Sequence, residues 1–156
     1  MTNLSFNIRD TKDFLNKLLE DYEEFQKDPT SSRIAINSAM TAWHLSDWAY
    51  NEFSGIKTQF PKLDQYQSYL KTLCPQLQIM HDITNGSKHY ALTRHNPDVA
   101  DTNLHEGPFS NAFSIEFDVS TLDIEMKDGT KLIFELELEK VVTFWKGYLE
   151  KHIAKG

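Results

Sequence analysis

From Thr30 to Ser54 the chain contains neither proline nor glycine, and the run is bounded by Asp28-Pro29 on one side and Gly55 on the other. Thr30-Ser31-Ser32 offers side-chain oxygens to cap a helix start, so the spacing predicts a helix over about 31–53. Ala35, Ile36, Ala39, Ala42, Trp43, Ala49 and Phe53 cover a broad arc of it, extended by Ile34, Leu45 and Trp48. So little of the circumference is left for water that this should be the central, most buried helix. Its alanines allow neighbouring backbones to come close. The remaining stripe carries Arg33, Asn37, Thr41, His44 and Asn51, with Asp47 at its edge. Buried polar groups must find partners, and the helix following Pro75 is where they are expected.

Other helices follow from three- and four-residue steps between apolar side chains. Phe14, Leu15, Leu18, Leu19, Tyr22 and Phe25 predict a helix over about 11–27, capped by Asp10 or Thr11. Gly55 to Pro61 reads as a loop. Leu63, Tyr66, Tyr69, Leu70 and Leu73 then predict a helix over about 62–73. Pro75, allowed only in a first turn, opens another that carries Leu77, Met80 and Ile83. Arg94 to Pro108, with turn residues at both ends, reads as a loop.

Beyond it the period changes to two. Phe113, Ile115, Phe117 and Val119 alternate with polar residues, as do Leu122, Ile124 and Met126, and Leu132, Phe134, Leu136 and Leu138 after the hairpin signal Asp128-Gly129. A last helix over about 139–153 uses Val141, Val142, Phe144, Trp145, Tyr148, Leu149 and Ile153. Near the start, Leu4, Phe6 and Ile8 also alternate, as in a short strand or a terminal arm. The expected fold is therefore α+β and mainly α: a bundle of four to five helices, with a three-stranded antiparallel β-meander inserted before the C-terminal helix. At 156 residues the length suits a single domain over 1–156, with the bundle at about 11–92 plus 139–153 and the meander at about 112–138.

Charge narrows the partners. The net charge is −7, and Ser110 to Glu139 holds Glu116, Asp118, Asp123, Glu125, Asp128, Glu135, Glu137 and Glu139 against only Lys127 and Lys131. An acidic meander face is a poor nucleic-acid surface, and it discourages edge-to-edge association. No apolar run approaches a membrane span, and Met1-Thr2-Asn3-Leu4-Ser5 lacks a signal core, so a cytoplasmic protein with no membrane partner is expected. The lone Cys74, beside Pro75 at a helix end, reads as a packed structural thiol.

The densest chemistry lies in His81-Asp82-Ile83-Thr84-Asn85-Gly86-Ser87-Lys88-His89-Tyr90. At about 100° per residue, Asp82, Asn85 and His89 share one stripe, with His81 and Lys88 beside it. His44, Asp47 and Asn51 repeat the spacing upstream with residue types reversed. Two such stripes facing each other would make a site. Phosphate-binding glycine loops, a G-x-S-x-G elbow, paired-cysteine zinc frameworks and H-E-x-x-H are all missing from the sequence.

Thr84-Asn85-Gly86-Ser87-Lys88-His89-Tyr90 resembles the R-N-x-x-x-H motif of HEPN domains, with Asn85 and His89 on the motif's polar residue and its histidine. The resemblance implies a helical bundle, a metal-independent ribonuclease of defence systems or a non-catalytic relative, no cofactor, and a homodimer in which two motifs share a cleft. Thr84 stands where the motif has arginine. Without that cation the charge developing on phosphate loses its stabiliser, unless Lys88 or Arg33 substitutes. The expected function is thus an RNA-related binding or regulatory role with weak or absent nuclease activity. W-H-L-x-D-W together with N-x-S-K-H also resembles a set of uncharacterised bacterial proteins. In this reading His89, Asn85 and Lys88 are the catalytic candidates, with His44, Asp47, Asn51, His81, Asp82 and Arg33 supporting them.

Two other readings stand beside it. In one, His89 and Asn85 close a buried hydrogen-bond network with His44 and Asp47 that fixes helix register. In the other, His44, Asp47, His81 and Asp82 bind a metal, although no Glu-x-x-His pair of the carboxylate-bridged bundles occurs. His95, His105 and His152 are expected in solvent.

Overall fold

The computed structural model describes residues 2–106 and 120–155. Helix α1 (Thr11–Lys27) starts at Asp10, whose carboxylate accepts the Asp13 N–H at 2.8 Å. Helix α2 (Ser32–Glu52) starts at Ser31, whose hydroxyl accepts the Ile34 N–H at 3.3 Å. Both caps satisfy amides that a helix start leaves without partners. A short helix α3 (Ser54–Gln59) occupies the stretch expected as a loop. Helices α4 (Leu63–Leu73) and α5 (Leu77–Lys88) follow.

Three antiparallel strands come next, β1 (Val99–His105), β2 (Thr121–Met126) and β3 (Lys131–Ile133), in the order β1-β2-β3, and helix α6 (Phe134–Ile153) closes the chain. The architecture is the expected one, a mainly helical α+β fold with a three-stranded antiparallel sheet before the last helix. Among the described residues no helix is long and apolar enough to cross a membrane.

Several boundaries differ from expectation. The segment read as a loop contains β1, paired with β2 from His105↔Thr121 back to Val99↔Met126 across a bulge between Val99 and Asp101. The strand expected over 113–119 lies outside the described residues. The third strand is only three residues long, because Phe134 begins the helix. Phe134, Leu138, Val141, Val142, Trp145 and Leu149 are buried at helical steps, while Leu136 is 49% exposed, so the alternation of Phe134, Leu136 and Leu138 is coincidental. Glu137, expected on an outer sheet face, is instead buried in α6 and paired with Lys140 at 2.9 Å. Leu4, Phe6 and Ile8 form no strand. Leu4 and Phe6 stand in solvent, and Phe6 takes the left-handed φ of 55°.

Helix α2 is central, packed between α1 and α5 and also touching α4 and α6. Ala39, Ala42 and Ala49 are fully buried on it, and the indole of Trp145 comes close enough to donate to the Ala42 carbonyl at 2.8 Å. Burying an indole of roughly 200 Å² contributes about 5 kcal/mol at 25 cal/mol per Å². The polar stripe of α2 finds its partners on α1, and not on α5 as expected. Asp21 accepts from Lys17 at 2.7 Å, Asn37 at 2.8 Å and Thr41 at 2.7 Å. Arg33 also turns to α1, 3.4 Å from Glu24, with both side chains exposed. What remains between α2, α5 and the sheet is the ground on which the candidate site is built.

Candidate functional site

Helix α5 carries two unlike clusters. The first is buried and centred on Asp82, whose side chain is 2% exposed. Its Oδ1 accepts from Gln78 Nε2 at 2.7 Å and from His95 Nε2 at 2.6 Å, and its Oδ2 accepts the Asp98 and Val99 N–H groups at 2.9 and 3.0 Å. Gln78 lies one helical turn before Asp82, which sets that contact locally. The other three donors are brought by the segment from Lys88 to β1 folding back over α5. A buried carboxylate is tolerated when its lone pairs are filled in this way, and this one fastens the start of β1 to the helix.

His81, next in the chain, stacks on Trp43 of α2 with centroids 4.1 Å apart and planes at 13°, and meets the ring of His95 at 4.4 Å. Lys71 of α4 stands 2.8 Å from His81 Nδ1 and 4.9 Å from the Trp43 ring centre. An ammonium has only donors, so Nδ1 accepts and the imidazole proton sits on Nε2. Burial, with Lys71 and His95 adding to it against Asp82, pushes His81 down to about 4. It is neutral at pH 7. Burial also lowers Lys71, opposed by Asp82 and Asp98.

The second cluster lies at the C-terminal end of the same helix. Asn85 is half-buried, and its carbonyl accepts the N–H of His89, the residue that ends α5 in an extended conformation. Lys88, His89 and Tyr90 are exposed. Ser87, His89, Tyr90, Leu92, Pro97 and Thr102 help line an open groove of about 550 Å³ between α5 and β1. Thr84, in the position that the HEPN motif gives to arginine, is only 6% exposed, and its hydroxyl donates to the Met80 carbonyl of its own helix.

The upstream stripe does not join either cluster by a hydrogen bond among the described residues. His44, Asp47 and Asn51 are exposed on α2, where Asn51 Nδ2 donates to the Asp47 carbonyl at 2.9 Å. Partial burial against the helix surface pushes His44 below the usual histidine range. Asp47 opposes this, and Lys17 and Lys88 add to it, so Lys88 lies within electrostatic reach of His44. The network of His44, Asp47, Asn85 and His89 expected between the helices is replaced by one made of Gln78, Asp82, His95 and the β1 backbone. Among the described residues no three His, Cys, Asp or Glu side chains are placed to hold a metal ion, so His44, Asp47, His81 and Asp82 do not form one ligand set.

Sequence reasoning missed Lys71, Gln78 and His95. The Gln78 to Asp82 spacing of one turn was a usable signal; the other two depend on tertiary closure. The remaining histidines are also less solvated than expected. The His105 side chain is 9% exposed and lies 3.9 Å from Asp123, and His152 packs on Tyr148 and Phe53 at 4.6 and 5.6 Å. Cys74 is buried, as its place before Pro75 suggested, and burial pushes its thiol up. Comparison with known proteins yields no match to a family model, a curated protein or a solved structure.

Proposed function

We propose that this chain is an RNA-related binding or regulatory protein, HEPN-like in the order of its helices and its motif, with weak or absent nuclease activity. One observation carries the reading. Lys88 and His89 are exposed at the end of α5, where His89 lines a groove, and Asn85 is half-buried one turn before, whereas the arginine position is a buried threonine bonded to its own helix. Groups that can contact a phosphate or a base are kept. The cation that would stabilise charge developing on phosphate is absent from the position where the motif supplies it. Arg33 is paired with Glu24 of α1, which leaves Lys88, next to His89 in the chain, as the substitute.

The test is fluorescence anisotropy with a labelled single-stranded oligoribonucleotide at low and moderate salt, alongside a cleavage assay in EDTA. Binding should weaken in Lys88→Ala and His89→Ala. One lost phosphate contact should reduce the slope of log affinity against log salt by roughly 0.7. Cleavage should be slow or undetectable. Absence of binding to any RNA, with the protein folded, would overturn the reading. Fast EDTA-resistant cleavage lost in His89→Ala would replace the binding role with an enzymatic one.

A second reading has its own observation. The four donors filling the Asp82 carboxylate make it a structural clamp, which supports an interaction protein whose polar cluster serves the fold. Under the first reading the partners proposed are RNA and a second copy of the chain.

A further inference from the structure

Ahead of α1 the chain makes a tight turn. The Ile8 N–H donates to the Ser5 carbonyl at 3.0 Å, Asn3 Oδ1 accepts the Ser5 N–H at 3.0 Å, and Asn3 Nδ2 donates to the Phe6 carbonyl at 2.8 Å. The root is fixed as well, since the Arg9 N–H donates to Asp13 at 3.0 Å and the Thr11 N–H to Glu52 of α2 at 2.6 Å. Phe6 takes the second position of the turn at a φ of 55°, where glycine, asparagine or aspartate is the usual residue. A bulky L residue rarely adopts this conformation. Backbone strain persists only where its surroundings impose it, and it points to use. Here it holds two apolar side chains out in water, with Leu4 87% and Phe6 88% exposed.

The same end of the molecule carries a place to receive them. The first turns of α1 and the last turns of α6 border an open groove of about 440 Å³, enough for a leucine and a phenylalanine side chain together. Leu15 and Leu19 of α1 and Ile153 and Ala154 of α6 supply its apolar walls, and Lys12, Lys146 and Glu150 its charges. It lies far from the sheet: Phe134, which shares a pocket with Leu104 and Leu122, is about 29 Å from Ile153 along α6.

We propose that two copies of this chain exchange these arms, Leu4 and Phe6 of each lying in the α1/α6 groove of the other. A two-fold contact needs one surface that carries both complementary halves. Arm and groove meet that need, because Lys12 borders the groove and stands only six residues after Phe6. From Thr2 to Ile8 the arm has no ionisable side chain, so it meets two lysines and a glutamate without opposing like charges. Together with the walls they cover, two arms remove on the order of 1,200 Å² from water, the lower end of the range for a specific interface. The exchange rests on the arm and this groove alone, and failure of RNA binding leaves it standing.

By light scattering the protein should show about twice its 18.1 kDa at micromolar concentration. Phe6→Gly removes the ring and suits the turn, since glycine takes a positive φ without strain. It should keep the far-ultraviolet spectrum of the parent and raise the dissociation constant of the dimer roughly tenfold or more. Ile153→Glu puts a charge in the groove without touching the arm, and it should do the same. Photocrosslinking then locates the contact. With p-benzoylphenylalanine in place of Phe6, an equal mixture of isotope-labelled and unlabelled protein should give peptides that join the arm of one copy to the stretch around Leu15 or Ile153 of the other. A monomeric parent, crosslinks confined to single copies or lying elsewhere, or a dimer unchanged in both variants would overturn the proposal.

Discussion

The two ends of α5 are built from the same kinds of residue and used in opposite ways. Toward the N-terminal end, His81 and Asp82 are covered by Trp43, Lys71 and His95, and every strong contact they make is to the protein itself. One to two turns later Lys88 and His89 carry similar chemistry but stand in water, His89 at the edge of a groove. Residue type therefore does not separate a buried cluster from an exposed one; what comes back to cover it does. The segment between Lys88 and β1 covers the first cluster and leaves the second open.

The largest effect that would break this contrast is at Asp82. Asp82→Ala orphans His95 Nε2 and two backbone N–H groups in a buried space, so it should cost roughly 3–5 kcal/mol in urea unfolding. Far-ultraviolet circular dichroism should still report helices α1, α2 and α6, whose packing does not pass through Asp82. A loss below about 1 kcal/mol would mean that the carboxylate is held loosely and that the clamp is incidental. His95→Ala removes one of the four donors and leaves the two backbone contacts, so about 1–3 kcal/mol is expected. If His95→Ala cost as much as Asp82→Ala, the imidazole and not the carboxylate would be fastening β1.

How much of this was legible in the sequence depends on how local each contact is. Helix α2 could be read because twenty-odd residues without Pro or Gly leave one answer, and its apolar arc is wide enough to mark it as central. The start of α6 could not. Phe134 and Leu138 fit both a two-residue and a four-residue step, and only the later course through Val141, Val142 and Trp145 shows which period governs. The position of β1 was hidden because Val99 to His105 has no apolar alternation. Its strand is held by β2 and by the Asp82 carboxylate, both remote in sequence. The candidate residues on α5 were all visible, but the division between buried and exposed was not, since His95 reaches Asp82 across thirteen residues. Asn37 and Thr41 gave the same lesson: a polar stripe announces that partners exist without saying which helix supplies them.

Acid should distinguish the two ends next. His81 has its folded value pushed down to about 4 from the usual 6.5. Between those values the unfolded chain binds more protons than the folded one, so stability rises with pH across the window. The contribution is fully present above about pH 6.5 and is lost as pH falls toward 4. His44 and His152 are also lowered by burial and act in the same direction, so the comparison must be between variants. His81→Phe keeps a ring on Trp43 and removes one titrating group, and its midpoint temperature should fall less steeply between pH 7 and 4.5 than that of the parent. Parallel curves would show that the stack does not resist protonation.

The smallest expected change in stability is at the exposed end, and it is the one that sharpens the contrast most. Lys88→Ala and His89→Ala remove side chains that stand in solvent and make no hydrogen bond to another side chain among the described residues. Substitutions of that kind usually stay within about 0.5 kcal/mol, so urea midpoints should match the parent. Under the proposed function oligonucleotide binding should nonetheless fall, because Lys88 is an exposed cation next to His89, which lines the groove. A change in binding with no change in stability would place recognition at the end of α5 and structure at its beginning. A destabilised His89→Ala, by contrast, would show that the imidazole supports the turn into β1, and the two ends of the helix would then differ in degree of exposure but not in use.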